Sequence, residues 1–328
     1  MKTLQEFSKE KLLSMYESMV MIRKYEERIY YLFLEGSMPG TIHQCHGQEA
    51  TAVGMLHDLR KTDYMTTTHR PAGHALAKGV TLKSMMAEMF AKSTGCCHGY
   101  GGAMHVGDMS VGAVPAIAIV GGGVPLAAGI GLGFKIKKQD GVVVSFMGDG
   151  ATNEGAVHEA MNGAAIWKLP VIFAIENNLY GASTSIKLTA LVENLADRAA
   201  AYGIPAEVVD GNDVIAVSKA AARAVEQARA GEGPTVLELK TYRIGGHSRN
   251  DACAYRTREE EAEWAKRDAI LTFGQRLVDE GRATRAELDE IESKVEADID
   301  EAVEYAKAQP SMAPEDGLKY AYVQEGLR

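Results

Sequence analysis

Apolar residues recur every three to four positions near the start of the chain, and this spacing predicts an amphipathic helix over residues 8–35. A segment rich in Gly and Pro ends the helix, and a second helix is predicted to begin near Gly47. The segment KTDYMTTTHR is predicted to be a short strand that runs into a loop, and a third helix follows over residues 81–93. A Gly-dense stretch of about 20 residues comes next, and a loop of that length inside a compact domain favours a functional role.

Continuous apolar runs in the middle of the chain predict parallel strands. The runs VVVSF and VIFAI predict strands over residues 141–147 and 170–176, joined by a helix over residues 153–168. Strands covered on both faces lack the polar alternation of half-exposed ones, which favours a parallel sheet. A buried helix is predicted just before them, from about residue 123 to 138, and a helix–strand pair is predicted over residues 212–242.

The last part of the chain is charged and helical. S/T-x-x-E capping boxes predict helix starts at Thr257 and Thr284. No linker divides the chain, so we expect one α/β domain over residues 1–328. Its parallel-sheet core is expected at about residues 40–250, with helical extensions at both ends and the C-terminal one at about residues 257–328.

Composition and charge exclude several classes of protein. The net charge of −9 without a long Lys/Arg block argues against a nucleic-acid partner. The four cysteines form no CxxC pair, and the N-terminus lacks signal-peptide and transit-peptide character, so a cytoplasmic location is expected. The stretch from Met109 to Phe134 is uncharged and long enough to span a bilayer, but its Gly and Pro content favours a loop followed by a packed helix. No membrane association is expected.

Polar residues follow both predicted strands at the point where each one ends. Asp149 lies between two glycines after the first strand, and Asn178 and Tyr180 follow the second. Because the carboxyl ends of neighbouring parallel strands meet at one sheet edge, we expect these groups within about 5–10 Å of one another. Carboxylate, amide and carbonyl oxygens suit Mg²⁺ or Ca²⁺, usually completed by phosphate oxygens. Gly148 and Gly150 would let a phosphate approach, although each segment alone could equally be a turn.

The segments GDGATNEG and ENNLYG together resemble the diphosphate-binding motif of thiamine diphosphate enzymes. Further segments (HGQEA, THR, GGAMH, VGGGVPLAAGIGL, TYRIGGHS and YRTREE) narrow the resemblance to the α subunit of the thiamine-dependent component of 2-oxo-acid (pyruvate-type) and acetoin dehydrogenase complexes. It extends from about residue 10 to 310. The resemblance implies the diphosphate-binding half of that fold and an oxidoreductase that cleaves acetoin, or decarboxylates a 2-oxo acid such as pyruvate.

The resemblance also assigns site residues. It implies that Mg²⁺ is coordinated by Asp149, by the side chain of Asn178 and by the backbone carbonyl of Tyr180. His43 and His247 match active-site histidines that could move a proton. The residues implied to contact the cofactor are His69, Arg70, Ser110, Ile119, Val120, Asp149, Gly150, Ala151, Asn178, Tyr180 and His247. Of these, Ile119 and Val120 could equally belong to the core.

Some positions depart from the family pattern or lack a clear role. Relatives typically carry a histidine where this chain has Ala72, and either His74 takes over its role or one proton transfer is lost or changed. His105 matches a family position but could equally pack its loop. Ser248 matches a serine that is phosphorylated in mitochondrial relatives, and no such modification is expected here.

The resemblance implies partners as well. No second α/β domain is visible for the pyrimidine half of the cofactor, so a separate β subunit is expected to supply that half and a glutamate, in an α₂β₂ assembly. The acyl group would pass to a lipoyl acyltransferase core, and the absence of a dinucleotide fingerprint places hydride transfer to NAD elsewhere. The alternatives are a split transketolase-like ketol transferase and a catalytically silent organising subunit.

Overall fold

The computed structural model describes residues 4–320. Its centre is a five-stranded parallel sheet with the strand order β1-β2-β3-β7-β6, beside a two-stranded antiparallel hairpin, β4–β5. The strands are β1 (Tyr64–Thr66), β2 (Val143–Gly148), β3 (Val171–Asn177), β4 (Tyr180–Gly181), β5 (Thr184–Ser185), β6 (Ala206–Asp210) and β7 (Thr235–Lys240). The prediction of an α/β fold with a parallel sheet is therefore confirmed.

Ten α-helices are found within the described residues. They are α1 (Lys9–Leu34), α2 (Glu49–Leu56), α3 (Ala72–Lys78), α4 (Leu82–Met89), α5 (Gly123–Ile136), α6 (Gly155–Ile166), α7 (Val214–Arg229), α8 (Arg258–Ala265), α9 (Ala269–Asp279) and α10 (Arg285–Ala308). No helix within residues 4–320 is both long enough and apolar enough to cross a membrane.

The two faces of the sheet are buried by different helices, because successive side chains of a strand point to opposite sides. On β2, Val143 and Met147 face a cluster formed with α5 and α6. Val144 and Phe146 face a larger cluster that includes α1, α2, α7 and α10. The C-terminal helix α10 packs against α1 and α4 within this larger cluster, so it belongs to the core of the domain.

The strands β2 and β3 are direct neighbours, as expected for the two apolar runs. Their register pairs Val143 with Val171 and Gly148 with Glu176, so the residues that follow both strands emerge side by side. The strand β6 has no counterpart in the predicted elements. It is an edge strand with four of its five residues exposed, and its sequence AEVVD therefore lacks a hydrophobic run.

Two predicted helices differ in detail from those observed. The helix expected over residues 153–168 begins only at Gly155, because residues 150–153 form a tight 3₁₀ turn directly after β2. The helix expected to be buried from residue 123 is buried on one side only. Its outer side exposes Leu126 and Ile136. The lack of charged residues was therefore not enough to predict that the helix is covered on all sides.

One of the two predicted capping boxes is complete. The Thr284 side chain accepts from the Glu287 N–H, and the Glu287 carboxylate accepts from the Thr284 N–H. At α8 only half of the motif forms: Thr257 accepts from the Glu260 N–H, but the Glu260 carboxylate turns away. It accepts hydrogen bonds from two tyrosine phenols instead, and this contact connects α8 to the site described below.

Candidate active site

A cavity of about 410 Å³ lies at the carboxyl ends of the central strands. Its walls come from the loop after β1, the segment before α5, the turns after β2 and β3, and the loop after β7. Ligands of open parallel sheets bind at this edge because the loops diverge there. The predicted cofactor-binding residues that line it are His69, Arg70, Ile119, Val120, Asp149, Gly150, Ala151, Asn178, Tyr180 and His247.

Asp149 is almost completely buried in the wall of this cavity. Its Oδ1 atom accepts a hydrogen bond from the Gly150 N–H at 2.7 Å, whereas its Oδ2 atom is buried without a partner. Burial raises the pKa of Asp149 to about 6. A buried carboxylate with an unpaired oxygen is costly unless a cation or donor satisfies it. This orphaned oxygen fits a divalent cation held against the strand end.

The groups that follow β3 offer further oxygen ligands beside Asp149. The Asn178 Oδ1 atom accepts from the Tyr180 N–H at 3.3 Å, and the Tyr180 carbonyl accepts from Arg243 Nη1 at 3.2 Å. Each of these oxygens has two lone pairs, so one acceptor site remains on each. A carboxylate, an amide oxygen and a carbonyl oxygen form the hard donor set that suits Mg²⁺.

Two glycines leave room beside these oxygens. A side chain on Gly148 would meet nothing within 4 Å, and one on Gly150 would meet only the Gly181 Cα atom, at 3.4 Å. The absence of side chains at the strand end and in the hairpin opens the backbone toward the cavity. This space fits phosphate groups placed against the 3₁₀ turn that begins at Gly150.

Two buried guanidinium groups supply positive charge to the cavity. Arg70 donates to the Gln44 carbonyl at 2.9 Å and to the His247 carbonyl at 2.8 Å. Burial, and then the neighbouring Arg243 cation, lowers the pKa of Arg70 to about 10, so it stays charged near neutral pH. Arg243 is buried as well and donates to backbone carbonyls of the β4–β5 hairpin. Two buried cations near each other are favourable when an anion lies between them.

Three histidine rings form a cluster beside Arg70. Ring centroids of His43 and His69 are 5.0 Å apart, those of His43 and His247 are 5.1 Å apart, and those of His69 and His247 are 5.5 Å apart. Burial, and then the charge of Arg70, lowers the pKa of His43 to about 4 and that of His69 to about 3. The same causes lower the pKa of His247. All three rings are therefore neutral near pH 7.

The hydrogen bonds of these rings identify which nitrogens are available. Arg70 Nη2 lies 3.0 Å from His247 Nδ1. Because a guanidinium only donates, Nδ1 accepts and the His247 ring proton lies on Nε2. His43 Nδ1 and His69 Nε2 are buried without partners. His69 and His247 line the cavity, and the His43 ring packs edge-on against both.

Four residues considered from the sequence lie elsewhere. Ser110 is exposed in a short turn, where its N–H donates to the Asp108 carboxylate, because the chain reaches the cavity only from Ile117 onward. His105 packs its loop through a hydrogen bond to the Ala116 carbonyl at 2.9 Å. His74 points into the interior, and Ala72 lies at the start of α3.

Ile119 and Val120 are exposed by 74% and 55% and form the cavity rim rather than core.

The environment of His74 shows that it does not take the place of a histidine at Ala72. It is 2% exposed, its Nδ1 atom lies 2.7 Å from Thr67 Oγ1, and its ring stacks on Phe146. Its Nε2 atom lies 3.2 Å from the Glu176 carboxylate. These contacts satisfy both ring nitrogens inside the protein, away from the three-histidine cluster.

Sequence reasoning missed five polar residues of the cavity wall. They are Gln48, Thr67, Thr68, Glu176 and Arg243. Arg243 and Gln48 lie in segments that carry the family resemblance, TYRIGGHS and HGQEA, but nothing in their local spacing shows that they enter the same cavity. Glu176 belongs to the apolar run of β3, and its carboxylate accepts from Thr51 and His74. The charged Glu176 next to a buried apolar run was the sequence feature that could have indicated a role for this residue in the site.

The family model of the dehydrogenase E1 component matches residues 17–315. The chain belongs to this family. It is 44% identical over 317 residues to the α subunit of acetoin:2,6-dichlorophenolindophenol oxidoreductase from Bacillus subtilis, covering 96% of this chain and 95% of that protein. The corresponding α subunit from Cupriavidus necator is 44% identical over 316 residues, with the same coverage. The pyruvate dehydrogenase E1 component α subunit of Porphyra purpurea is 38% identical over 310 residues, covering 92% of this chain and 90% of that protein.

These similarities confirm the family resemblance that the sequence motifs indicated. This E1-family chain is related over more than nine-tenths of its length to α subunits of acetoin oxidoreductase and of the pyruvate dehydrogenase E1 component. Family membership implies dependence on thiamine diphosphate. The expectation of an enzyme of the acetoin and pyruvate dehydrogenase class is likewise confirmed.

Proposed function

We propose that this chain binds the diphosphate end of thiamine diphosphate together with Mg²⁺, in an enzyme that cleaves acetoin. The observation that carries this proposal is the buried, unpartnered Oδ2 atom of Asp149 in a cavity that also holds Arg70 and Arg243. Asp149 forms no ion pair within the described residues, and the hydrogen bonds of Arg70 and Arg243 go to neutral groups. A magnesium ion bridging a diphosphate would satisfy both the carboxylate and the guanidinium groups.

Different residues of the cavity would bind the metal ion and the phosphate groups. Asp149, the Asn178 amide oxygen and the Tyr180 carbonyl would hold Mg²⁺, while Gly150, Ala151 and Arg70 would face the phosphates. This arrangement is supported by the donor set and by the open space at the glycines. When bound, thiamine diphosphate supplies a nucleophilic carbon that adds to the carbonyl group of the substrate.

The histidine cluster would handle protons. His69 lines the cavity, is neutral at pH 7 and has an unpartnered nitrogen, so it would accept a proton from a substrate hydroxyl, while His43 packs against its ring. His247 carries its ring proton on Nε2 and can donate a hydrogen bond to a developing negative charge. Acetoin carries a hydroxyl beside its carbonyl, so its cleavage requires removal of such a proton.

The assembly we propose is α₂β₂, with a β subunit supplying the pyrimidine half of the cofactor site and its glutamate. The exposed apolar rim formed by Ile119 and Val120 supports contact with a partner at the cavity mouth. The acyl group would then pass to a lipoyl acyltransferase. Acetoin is preferred over pyruvate as substrate because the relatives named for acetoin are 44% identical, whereas the pyruvate dehydrogenase relatives are 36–40% identical.

Titration calorimetry with thiamine diphosphate and Mg²⁺ tests this proposal. The chain is compared alone and co-expressed with a candidate β subunit, and acetoin and pyruvate are then assayed with an artificial electron acceptor. We expect tight, Mg²⁺-dependent binding in the co-expressed complex and turnover of acetoin above pyruvate. Absence of binding in both samples would overturn the cofactor assignment and leave an organising subunit.

A further inference from the structure

Gln48 is a buried polar residue whose side chain reaches the cavity from outside the metal-binding turns. It occupies the N-cap position of α2 and is 2% exposed, but its side chain makes no capping hydrogen bond. N-cap side chains usually accept from the first N–H groups of the helix. Here the side chain extends instead to the wall beside Asn178, where it lines the cavity.

One end of the Gln48 amide holds Asn178. The Asn178 Nδ2 atom donates to Gln48 Oε1 at 3.0 Å. An asparagine amide has an oxygen on one side and an NH₂ group on the other, so an acceptor placed at one side determines where the oxygen points. With Nδ2 held by Gln48, the Oδ1 atom faces the opposite side, toward the Tyr180 N–H.

The other end of the Gln48 amide has no partner. Its Nε2 atom is buried and makes no hydrogen bond, although the residue lines the cavity. Leaving a buried donor unpaired costs about 1–3 kcal/mol. A ligand that presents an oxygen acceptor at this place would satisfy it, and the nearby Arg70 makes an anionic oxygen the favoured kind.

The backbone around Gln48 is rigidly held. Its carbonyl accepts from the Ala52 N–H at 3.4 Å, and its N–H donates to the Cys45 carbonyl at 2.9 Å. The neighbouring Glu49 carboxylate accepts from the Gly47 N–H and pairs with Arg23. Because the backbone is held in this way, the Gln48 side chain can orient the Asn178 amide with little loss of conformational entropy.

We propose that Gln48 is a positioning residue with two roles. Its Oε1 atom orients the Asn178 amide so that Oδ1 faces the metal ion, and its Nε2 atom donates to an anionic phosphate oxygen of the cofactor. This inference rests on the proposed binding of thiamine diphosphate and Mg²⁺. It concerns a residue to which neither the motif spacing nor the family resemblance assigned a role.

The two roles are separated by two substitutions in the co-expressed complex. Gln48→Met removes both the acceptor and the donor, whereas Gln48→Glu keeps an acceptor for Asn178 and removes the donor. Gln139→Glu, at an exposed position, is the charge-matched control. Mn²⁺ binding is measured by electron paramagnetic resonance at saturating thiamine diphosphate, and thiamine diphosphate binding is measured by calorimetry at saturating Mg²⁺.

We expect Gln48→Met to weaken both titrations by about 10–100-fold, the usual effect of losing an outer hydrogen-bond partner of a metal ligand. Gln48→Glu should weaken thiamine diphosphate binding by at least about 10-fold but leave Mn²⁺ binding close to that of the wild type. Wild-type affinities for Gln48→Met, or equal losses for both variants in both titrations, would overturn the inference. Failure of the wild type to bind would instead overturn the proposed function.

A second pair of variants tests the orienting role alone. In Asn178→Asp both side-chain atoms are oxygens, so no partner is needed to choose which one faces the metal. We expect the Gln48→Met substitution to weaken Mn²⁺ binding much less in the Asn178→Asp background than in the wild type. An equal loss in both backgrounds would show that Gln48 does not act by orienting Asn178. Melting temperatures of the metal-free variants check that folding is unchanged.

Discussion

Asp149 and Glu26 are buried carboxylates that form no ion pair with a neighbouring cation within residues 4–320, unlike Glu49 and Asp63. Glu49 pairs with Arg23, and Asp63 pairs with Arg229. Asp149 has an unpaired oxygen, and Glu26 accepts from the N–H and thiol of Cys45. Burial raises the pKa of Glu26 to about 7. Burying these two carboxylates without an ion pair costs stability at neutral pH.

Glu26 makes stability depend on pH. Its pKa is higher in the folded chain than the usual 4.5, so its favourable contribution is complete below pH 4.5 and is lost as the pH rises through about 7. We expect the free energy of unfolding of the wild type to fall by up to about 3 kcal/mol relative to Glu26→Gln between pH 4.5 and pH 8.

Urea denaturation of both proteins across this range measures the effect. The difference between wild type and Glu26→Gln cancels the contribution of the histidines, whose lowered pKa values act in the opposite direction. A difference that does not change with pH would mean that Glu26 titrates normally.

Asp149 should matter for binding and not for folding. Because burial disfavours the ionised carboxylate and leaves its Oδ2 atom unpaired, we expect Asp149→Asn to fold with a melting temperature at pH 8 equal to or above that of the wild type. We expect it to weaken Mg²⁺-dependent binding of thiamine diphosphate by more than about 100-fold, since it removes a direct ligand. Calorimetry and thermal melts measure both, with the exposed Asp289→Asn as control. A destabilised variant with normal affinity would refute the metal assignment.

At the scale of elements, the short helix α8 is joined to the hairpin β4–β5 by one carboxylate. Glu260 accepts from the Tyr180 phenol at 2.9 Å and from the Tyr242 phenol at 2.8 Å. Burial and this carboxylate raise the pKa of Tyr180 to about 12. The incomplete capping box of α8 is explained by this second use of its glutamate. The Tyr180 carbonyl is also a candidate metal ligand, so the Glu260 contact connects α8 to the site.

Substitution of Glu260 measures this connection. Gln replaces the charged carboxylate with one neutral amide oxygen, which is a weaker acceptor for the two phenols, so we expect Glu260→Gln to lower the free energy of unfolding by about 1–2 kcal/mol. The adjacent exposed Glu259→Gln should change it by less than about 0.5 kcal/mol. Urea midpoints of the two variants provide the comparison, and equal midpoints would mean that the phenol contacts contribute nothing.

At the scale of the molecule, the cavity lies where the sheet, the N-terminal helices and the loop after β7 meet. Asp149 and Asn178 come from the turns that follow β2 and β3, Gln48 from the N-cap of α2, and His247 from the loop after β7. A ligand in this cavity would therefore connect segments that are separate in sequence. Binding to the folded state alone stabilises a protein by mass action.

This geometry predicts cooperative stabilisation by the cofactor. With thiamine diphosphate and Mg²⁺ at about 100 times the dissociation constant, we expect the unfolding free energy of the co-expressed complex to rise by about 2.7 kcal/mol. Differential scanning calorimetry with each ligand alone and with both measures the effect. We expect a clear shift only with both present, and a full shift with Mg²⁺ alone would indicate a metal site independent of phosphate.

Much of the architecture followed from local pattern. Apolar runs identified β2 and β3, and because βαβ units place successive strands side by side, the residues after both strands were expected at one sheet edge. The edge strand β6 was missed because exposure removed its apolar pattern. The half-exposed face of α5 was missed because uncharged residues are equally compatible with burial and with a surface.

The sequence by itself determined the fold class, the family, and the part of the site that lies within two adjacent turns, because the ends of neighbouring strands must meet. Only the tertiary structure decided that His69 faces His43 and His247, that His74 turns inward, and that Gln48 reaches Asn178. These contacts join residues far apart in the chain, and their directions depend on how whole elements pack. Periodicity and spacing carry information about neighbours along the chain and within a sheet, but not about side chains that converge from different layers.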